Sequence, residues 1–263
     1  MKVVLFCGGM GMRMREFSGQ LPKPMVPIGS RPIMWHLMKY YAHYGHRDFV
    51  LCLGYKAEVI KEYFLNYKEW LSNDFVLSGG GRDVSLLNKD IEDWRITFVD
   101  TGISSNIGER LMAVREHLAG EEVFLANYSD GLTDLPLPRL LEHAERHGKV
   151  ATFMCTTPSQ TFHVVSMDDD DRVTTIRESS GIGMWVNAGF FVLRQEIFDY
   201  MRPGEELVYE PFQRLIEAGE LVGYRHDGFW AGMDTFKERQ QLDEMYTRGG
   251  ASWEVWNPER AGA

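Results

Sequence analysis

The sequence predicts an α/β protein, a mostly parallel mixed sheet flanked by helices, on three observations. Apolar runs of strand length recur at residues 3–6, 48–53, 122–126 and 150–156. They are continuous enough for strands covered on both faces. Between them, apolar residues fall at helical spacing over 33–45, 57–66, 107–117 and 138–147, and this strand–helix alternation is what a parallel sheet with crossover helices requires. No internal repeat, low-complexity tract or clear linker interrupts the 263 residues, which favours one continuous domain.

The first strand, residues 3–6, breaks into Gly8-Gly9-Met10-Gly11-Met12-Arg13, and Pro22-Lys23-Pro24 follows. A buried strand ending in a glycine-rich turn can bring backbone N–H groups close to phosphates, because glycine leaves room and tolerates φ > 0. Arg13 and Lys23 could neutralise charge on the same phosphates. The alternative is a plain strand and turn whose glycines serve only its sharpness. In the next segment Ile33, Leu37, Tyr40, Tyr41 and Tyr44 lie at roughly helical spacing; Pro32 suits a first turn and Gly45 a stop. Residues 48–53 form the second strand, closed by Gly54-Tyr55-Lys56, and 57–66 a helix.

Residues 68–88 are polar and partly glycine-rich (Ser78-Gly79-Gly80-Gly81-Arg82) and read as a surface excursion or flap. A strand over 94–100, a helix over 107–117, a strand over 122–126 and a helix over 138–147 come next. After the strand at 150–156, residues 162–166 and 172–177 read as a hairpin around Asp168-Asp169-Asp170-Asp171. That acidic run lacks the alternating ligand spacing and terminal glutamate of a calcium loop, so it reads as a solvated turn. A strand over 186–193, helical stretches over 197–201 and 211–218, a last strand over 221–226, a loop over 229–235 and a helix over 236–248 complete the chain.

Hydrophobic content of 44% and charged content of 25% are ordinary for a globular protein. The formal net charge of −10 argues against a nucleic-acid partner. A ligand with several negative charges would need a local basic cleft and a metal ion. No segment reads as a secretory signal or reaches the ~20 apolar residues of a membrane span. Cys7, Cys52 and Cys155 are odd in number and widely spaced, as reduced core cysteines of a cytoplasmic protein would be.

Ligands of such sheets bind outside the carboxyl ends of the strands. Three strand ends offer suitable groups: residues 8–13, Asp130 and Asp234. Asp130 and Asp234 both follow predicted strands in glycine-containing turns, and two carboxylates at a shared edge can hold Mg²⁺ against phosphate oxygens. Taken singly, Asp130 is equally a turn residue and Asp234 a helix N-cap. No Ser-His-Asp arrangement, His-Glu-x-x-His or Cys-x-x-Cys occurs. The glycine loop lacks the Gly-Lys-Ser/Thr ending of nucleotide hydrolases, and Arg13 stands where a dinucleotide fingerprint has its third glycine.

Taken together, Gly8-Gly9-x-Gly11-x-Arg13, Pro22-Lys23-Pro24-Met25, Val99-Asp100-Thr101-Gly102, Gly108-Glu109-Arg110-Leu111, Asp130-Gly131, Asn187-Ala188-Gly189 and Met233-Asp234-Thr235 resemble the sugar-1-phosphate nucleotidylyltransferases. The likeness runs nearly end to end and is strongest to the glucose-1-phosphate cytidylyltransferase branch, down to Trp253 and Trp256. It implies a Rossmann-like fold of nucleotide-diphospho-sugar transferase type with inserted sugar-binding hairpin elements. Residues 1–135 would form a nucleotide-binding part and 136–263 a sugar-binding and C-terminal part of one domain. It further implies that Gly8, Gly9 and Gly11 cradle a nucleoside triphosphate, CTP by preference, and that Arg13 and Lys23 are catalytic contacts to its phosphates. Asp130 and Asp234 would hold Mg²⁺; His163, Glu178 and Asn187 would face the sugar phosphate. Arg110 would reach the nucleotide site of a neighbouring subunit, which implies a homo-oligomer.

The departures from the family pattern touch the acceptor side at two places and the glycine loop and first metal aspartate at two more. Glu178-Ser179-Ser180 stands where most members have Glu-Lys-Pro, so a cation near the nucleophile is missing. Phe162-His163 replaces Phe-Gly, Met12 replaces the loop threonine, and Ser129 replaces the glycine before the first metal aspartate. The expectation is a changed acceptor, larger or less usual than glucose 1-phosphate, or a phosphonate. GTP or another triphosphate remains an alternative, as does a non-catalytic nucleotide-binding regulatory protein on the same scaffold.

Overall fold

Alternate residues of the first strand face opposite ways, and both ways are buried. Val3 and Leu5 enter one hydrophobic core, Val4 and Phe6 a second on the other side, as the two-residue period of a strand requires. Phe49 and Leu51 against Val50 and Cys52, and Leu125 against Phe124 and Ala126, repeat the pattern. The continuous apolar runs are thus strands sandwiched between helical layers. The computed structural model describes residues 1–9, 21–158, 163–178 and 183–257.

Eight strands of the described residues form the central sheet. They are β1 (Lys2–Phe6), β2 (Asp48–Leu53), β3 (Arg95–Asp100), β4 (Val123–Tyr128), β5 (Ala151–Thr156), β6 (Val186–Asn187), β7 (Phe191–Arg194) and β8 (Leu221–Arg225). Their order is β6-β5-β7-β4-β1-β2-β3, with β8 on β5. β1 pairs in parallel with β2 and β4, and β2 with β3. β7 is antiparallel to both β4 and β5, and β8 is parallel to β5. The carboxyl ends of β1, β2, β3, β4, β5 and β8 therefore share one edge. The flanking helices are α1 (Ile33–His43), α2 (Ala57–Leu65), α3 (Ile107–Ala113), α4 (Leu137–His147), α5 (Glu210–Ala218) and α6 (Phe236–Thr247). None is long and apolar enough to cross a membrane.

Three expectations change in detail. The strand over 186–193 is broken into β6 and β7 at Ala188-Gly189-Phe190, where Gly189 and Phe190 take φ of +80° and +50°. The cause lies on β4: the Asn127 carboxamide oxygen accepts the Phe190 N–H at 3.0 Å, and a Cβ on Gly189 would stand 2.3 Å from that oxygen. The 68–88 excursion contains a hairpin, Phe75–Ser78 with Asp83–Leu86, turning through Gly79, Gly80 and Gly81, all at positive φ. It is moored by buried Asp90, which accepts from Lys39 (2.7 Å), Tyr67 (3.1 Å) and Asn73 (2.8 Å). The expected loop over 229–235 contains a strand, Trp230–Gly232, paired with Gly131–Thr133.

The acidic turn is as expected. The Asp168 carboxylate accepts the backbone N–H groups of Asp170 and Arg172, both at 3.0 Å, in the hairpin His163–Met167 with Val173–Glu178. Cys7, Cys52 and Cys155 are free thiols; burial pushes the Cys7 thiol up to about 12, which leaves it unreactive.

Candidate active site

At the carboxyl edge of the sheet three charged groups from distant parts of the chain meet. The Lys23 ammonium donates to the Asp130 carboxylate and, at 2.7 Å, to Asp234 Oδ1. The short antiparallel ribbon of Gly131–Thr133 and Trp230–Gly232 brings the aspartates together. Asp130 immediately precedes one strand of the ribbon and Asp234 follows the other by two residues. The Met233 N–H also donates to the Asp130 carbonyl at 2.9 Å. The Trp230 indole pins the ribbon, donating to the Ala188 carbonyl at 3.1 Å while its ring lies against Gly131 and Gly232.

Each charged residue is fixed from behind. Ser129 follows β4 directly and donates its hydroxyl to the Phe6 carbonyl of β1 at 2.8 Å, which gives this departure from the family glycine a structural reason. Lys23 opens a single 3₁₀ turn, Lys23–Met25, between two prolines. Asp234 is not the helix N-cap. Thr235 is, in a capping box with Glu238, and the Glu238 carboxylate also accepts the Asp234 N–H at 2.7 Å. The motif Thr-x-x-Glu at 235–238 was readable in the sequence. Thr235→Ala is expected to lower the unfolding free energy by about 1 kcal/mol, read from urea denaturation.

Side-chain exposures are 15% for Lys23, 26% for Asp130 and 48% for Asp234, so the cluster opens to solvent on the side of Asp234. Burial opposes the charge on Lys23, but Asp130 and Asp234 outweigh it and hold the ammonium above the usual lysine range. Two carboxylates converging on one cation suit Mg²⁺, which takes one or two protein carboxylates and completes its shell with phosphate oxygens and water. Among the described residues no three His, Cys, Asp or Glu side chains converge on a metal position. Asp130 and Asp234 would therefore need ligands from a bound phosphate.

Gly8 and Gly9 follow β1 at the same edge; Gly11 and Arg13 lie outside the described residues. Arg110 lies against Gly8. Its guanidinium is 2% exposed and donates to the carbonyls of Gly8 (3.1 Å) and Leu53 (3.1 Å) and to the Thr101 hydroxyl (2.7 Å). It thereby ties together the ends of β1, β2 and β3. A reach into a neighbouring subunit is not the conformation the side chain takes. A Cβ on Gly8 would lie 2.0 Å from Arg110 Nη1, so with the guanidinium in this place only glycine fits here. Thr101 and Ser129, noted in the sequence only as part of a motif and as a departure from it, act as supports: the Thr101 hydroxyl accepts from Arg110 and the Ser129 hydroxyl donates to the Phe6 carbonyl.

Asn187, expected to face the sugar phosphate, lies at the kink between β6 and β7. Asn187 accepts the Gly189 N–H at 2.9 Å and donates to the Tyr128 hydroxyl at 3.4 Å, two residues before Asp130. Burial pushes the Tyr128 phenol up to about 12, so it stays neutral. His163 and Glu178 are paired opposite each other at the end of the hairpin. Ser179 and Phe162 lie outside the described residues.

The nucleotidyl transferase family matches residues 2–238. The chain is 38% identical over 258 residues to the probable glucose-1-phosphate cytidylyltransferase of Bacillus subtilis, covering 97% of this chain and all of the relative. Identity to the glucose-1-phosphate cytidylyltransferase of Salmonella typhi is also 38%, over 257 residues with the same coverage. In fold it is similar to a putative glucose-1-phosphate thymidylyltransferase from Bacillus anthracis, solved with sucrose, at a TM-score of 0.68 and 13% identity over the whole of both chains. The chain belongs to the nucleotidyl transferase family, among its sugar-1-phosphate nucleotidylyltransferases.

Proposed function

We propose that the protein transfers a nucleotidyl group from CTP to a sugar 1-phosphate, releasing pyrophosphate, with Mg²⁺ as cofactor. The observation that carries the reading is the convergence of Lys23, Asp130 and Asp234 beside the glycine turn. A phosphate oxygen of the sugar 1-phosphate attacks the α-phosphorus in line, the bond from that phosphorus to the bridging oxygen breaks, and pyrophosphate leaves with the electron pair. No covalent enzyme intermediate is needed, and catalysis is positioning plus charge stabilisation. Gly8, Gly9 and Gly11 line the nucleotide phosphates, Arg13 faces the leaving pyrophosphate and the Lys23 ammonium contacts the α-phosphate. Arg110 acts by holding the Gly8 carbonyl. A Mg²⁺ on Asp130 and Asp234 would neutralise and orient the triphosphate oxygens.

Asn187, Glu178 and His163 are assigned to the acceptor by the resemblance. The missing lysine at Ser179 and the histidine at 163 support an acceptor other than glucose 1-phosphate, larger or bearing a different substituent. CTP is favoured by 38% identity over nearly the whole chain to relatives named cytidylyltransferases. A homo-oligomer belongs to the same reading: exposed Phe75, Leu77 and Val84 share one face of the 75–86 hairpin, an apolar patch of the kind that marks protein contacts. A cytoplasmic location is supported by the three free thiols.

The test is pyrophosphate release over a matrix of four triphosphates and a panel of sugar 1-phosphates with Mg²⁺. The expected result is turnover that is highest in the CTP row, with a sugar other than glucose at its peak. Faster turnover with GTP would move the nucleotide assignment. Silence across the matrix with folded protein would overturn the function.

A further inference from the structure

We infer that Lys23 has a second role, as an internal cation that holds the Asp130–Asp234 pair closed until a nucleotide arrives. The inference rests on reading these aspartates as the metal pair. Three observations carry it. The ammonium hydrogen-bonds both carboxylates at once, so it stands where a shared divalent cation would have to stand. Its backbone is held in a 3₁₀ turn: Met25 donates its N–H to the Pro22 carbonyl at 2.8 Å and Val26 to the Lys23 carbonyl at 3.1 Å, so release of the aspartates falls to the side chain. No third carboxylate, histidine or cysteine converges on the pair among the described residues.

The consequence follows from charge. Two carboxylates this close need a cation, and Lys23 supplies one that keeps them aimed at a common point in the free protein. For both carboxylates to turn to a divalent ion, Lys23 must release them, and a largely buried ammonium that loses two charged partners is costly unless another anion receives it. The triphosphate is that anion. Its phosphate oxygens also provide the ligands that the chain lacks. Lys23 therefore couples the two events: the carboxylates accept a divalent cation when the ammonium transfers to the incoming phosphates. The free protein has little affinity for the bare ion, and the cation enters with the nucleotide.

The probe is Mn²⁺, followed by electron paramagnetic resonance and calorimetry on the intact chain without nucleotide. Lys23→Met keeps the length and removes the charge. It is expected to bind Mn²⁺ at least about tenfold more tightly than the wild type. Adding Asp130→Asn to Lys23→Met is expected to abolish the gain, which places the ion on this pair. Lys23→Gln serves if the methionine variant does not fold. Unchanged or weaker Mn²⁺ affinity in the folded variant overturns the inference, as does a gain that survives Asp130→Asn. Wild-type turnover alongside either result would leave the proposed reaction standing and remove only the latch; a silent activity matrix with the expected Mn²⁺ gain would do the reverse.

Discussion

Asp130→Asn is expected to lower kcat/KM about a thousandfold, close to 4 kcal/mol of transition-state stabilisation, in a protein that still folds. Asparagine keeps the volume and an oxygen able to accept from Lys23. The backbone carbonyl that receives the Met233 N–H is untouched. What disappears is a negative charge, and with it the ability to share a divalent cation with Asp234. Asp234→Asn is expected to act in the same direction. The double variant should cost far less than the product of the two, because the carboxylates work as a unit. Steady-state kinetics with the best substrate pair reads this, and thermal melts show that folding is preserved. Activity within tenfold of wild type in either single variant would mean that the pair is a structural ion cluster rather than the reaction centre.

Arg110→Ala is expected to cost about 3 kcal/mol of stability, from the lost charge-assisted hydrogen bonds and from the cavity left by a fully buried side chain. It is also expected to depress kcat/KM more than tenfold under conditions where the variant is fully folded, because the glycine turn loses this support. The guanidinium joins the Gly8 carbonyl, the Leu53 carbonyl and the Thr101 hydroxyl. Those acceptors retain other donors, such as Tyr55 N–H on Gly8 and Thr101 N–H on Leu53, so the strands should hold while the turn loosens. Arg110→Met restores much of the volume without the bonds. It should therefore recover stability more than activity. Urea denaturation and kinetics on the two variants separate these effects. Equal recovery of both would show that Arg110 matters only as filler.

Sequence reading reached far where a signal was local. β2, Asp48–Leu53, has the boundaries its apolar run suggests. The strand ends that present Gly8 and Asp130 lie where the pattern puts them. Lys23, Asp130 and Asp234 could be grouped because each sits in a turn or just past a strand. What closes the distance between the aspartates is the three-residue ribbon over 131–133 and 230–232. Pairing between segments so far apart leaves no periodicity in either.

Other features were set by partners elsewhere in the chain. The break at Gly189 and Phe190 is imposed by Asn127, on a different strand. Arg110 turns inward because carbonyls and a hydroxyl at the ends of three strands surround it, which its own helix, α3, does not announce. By contrast, the Thr235–Glu238 capping box was available in the sequence as a spacing of three, and it corrects the reading of Asp234 as a cap.

The most direct test is ³¹P nuclear magnetic resonance of the wild-type chain with Mg²⁺, CTP and the best sugar 1-phosphate from the activity matrix. In-line transfer at the Lys23–Asp130–Asp234 site predicts loss of the triphosphate and sugar-phosphate signals in step. Pyrophosphate and a nucleoside diphosphate sugar should appear in equal amounts, and none of this should occur in Asp130→Asn. Hydrolysis of the triphosphate without a sugar product, or equal product formation by Asp130→Asn, would contradict it.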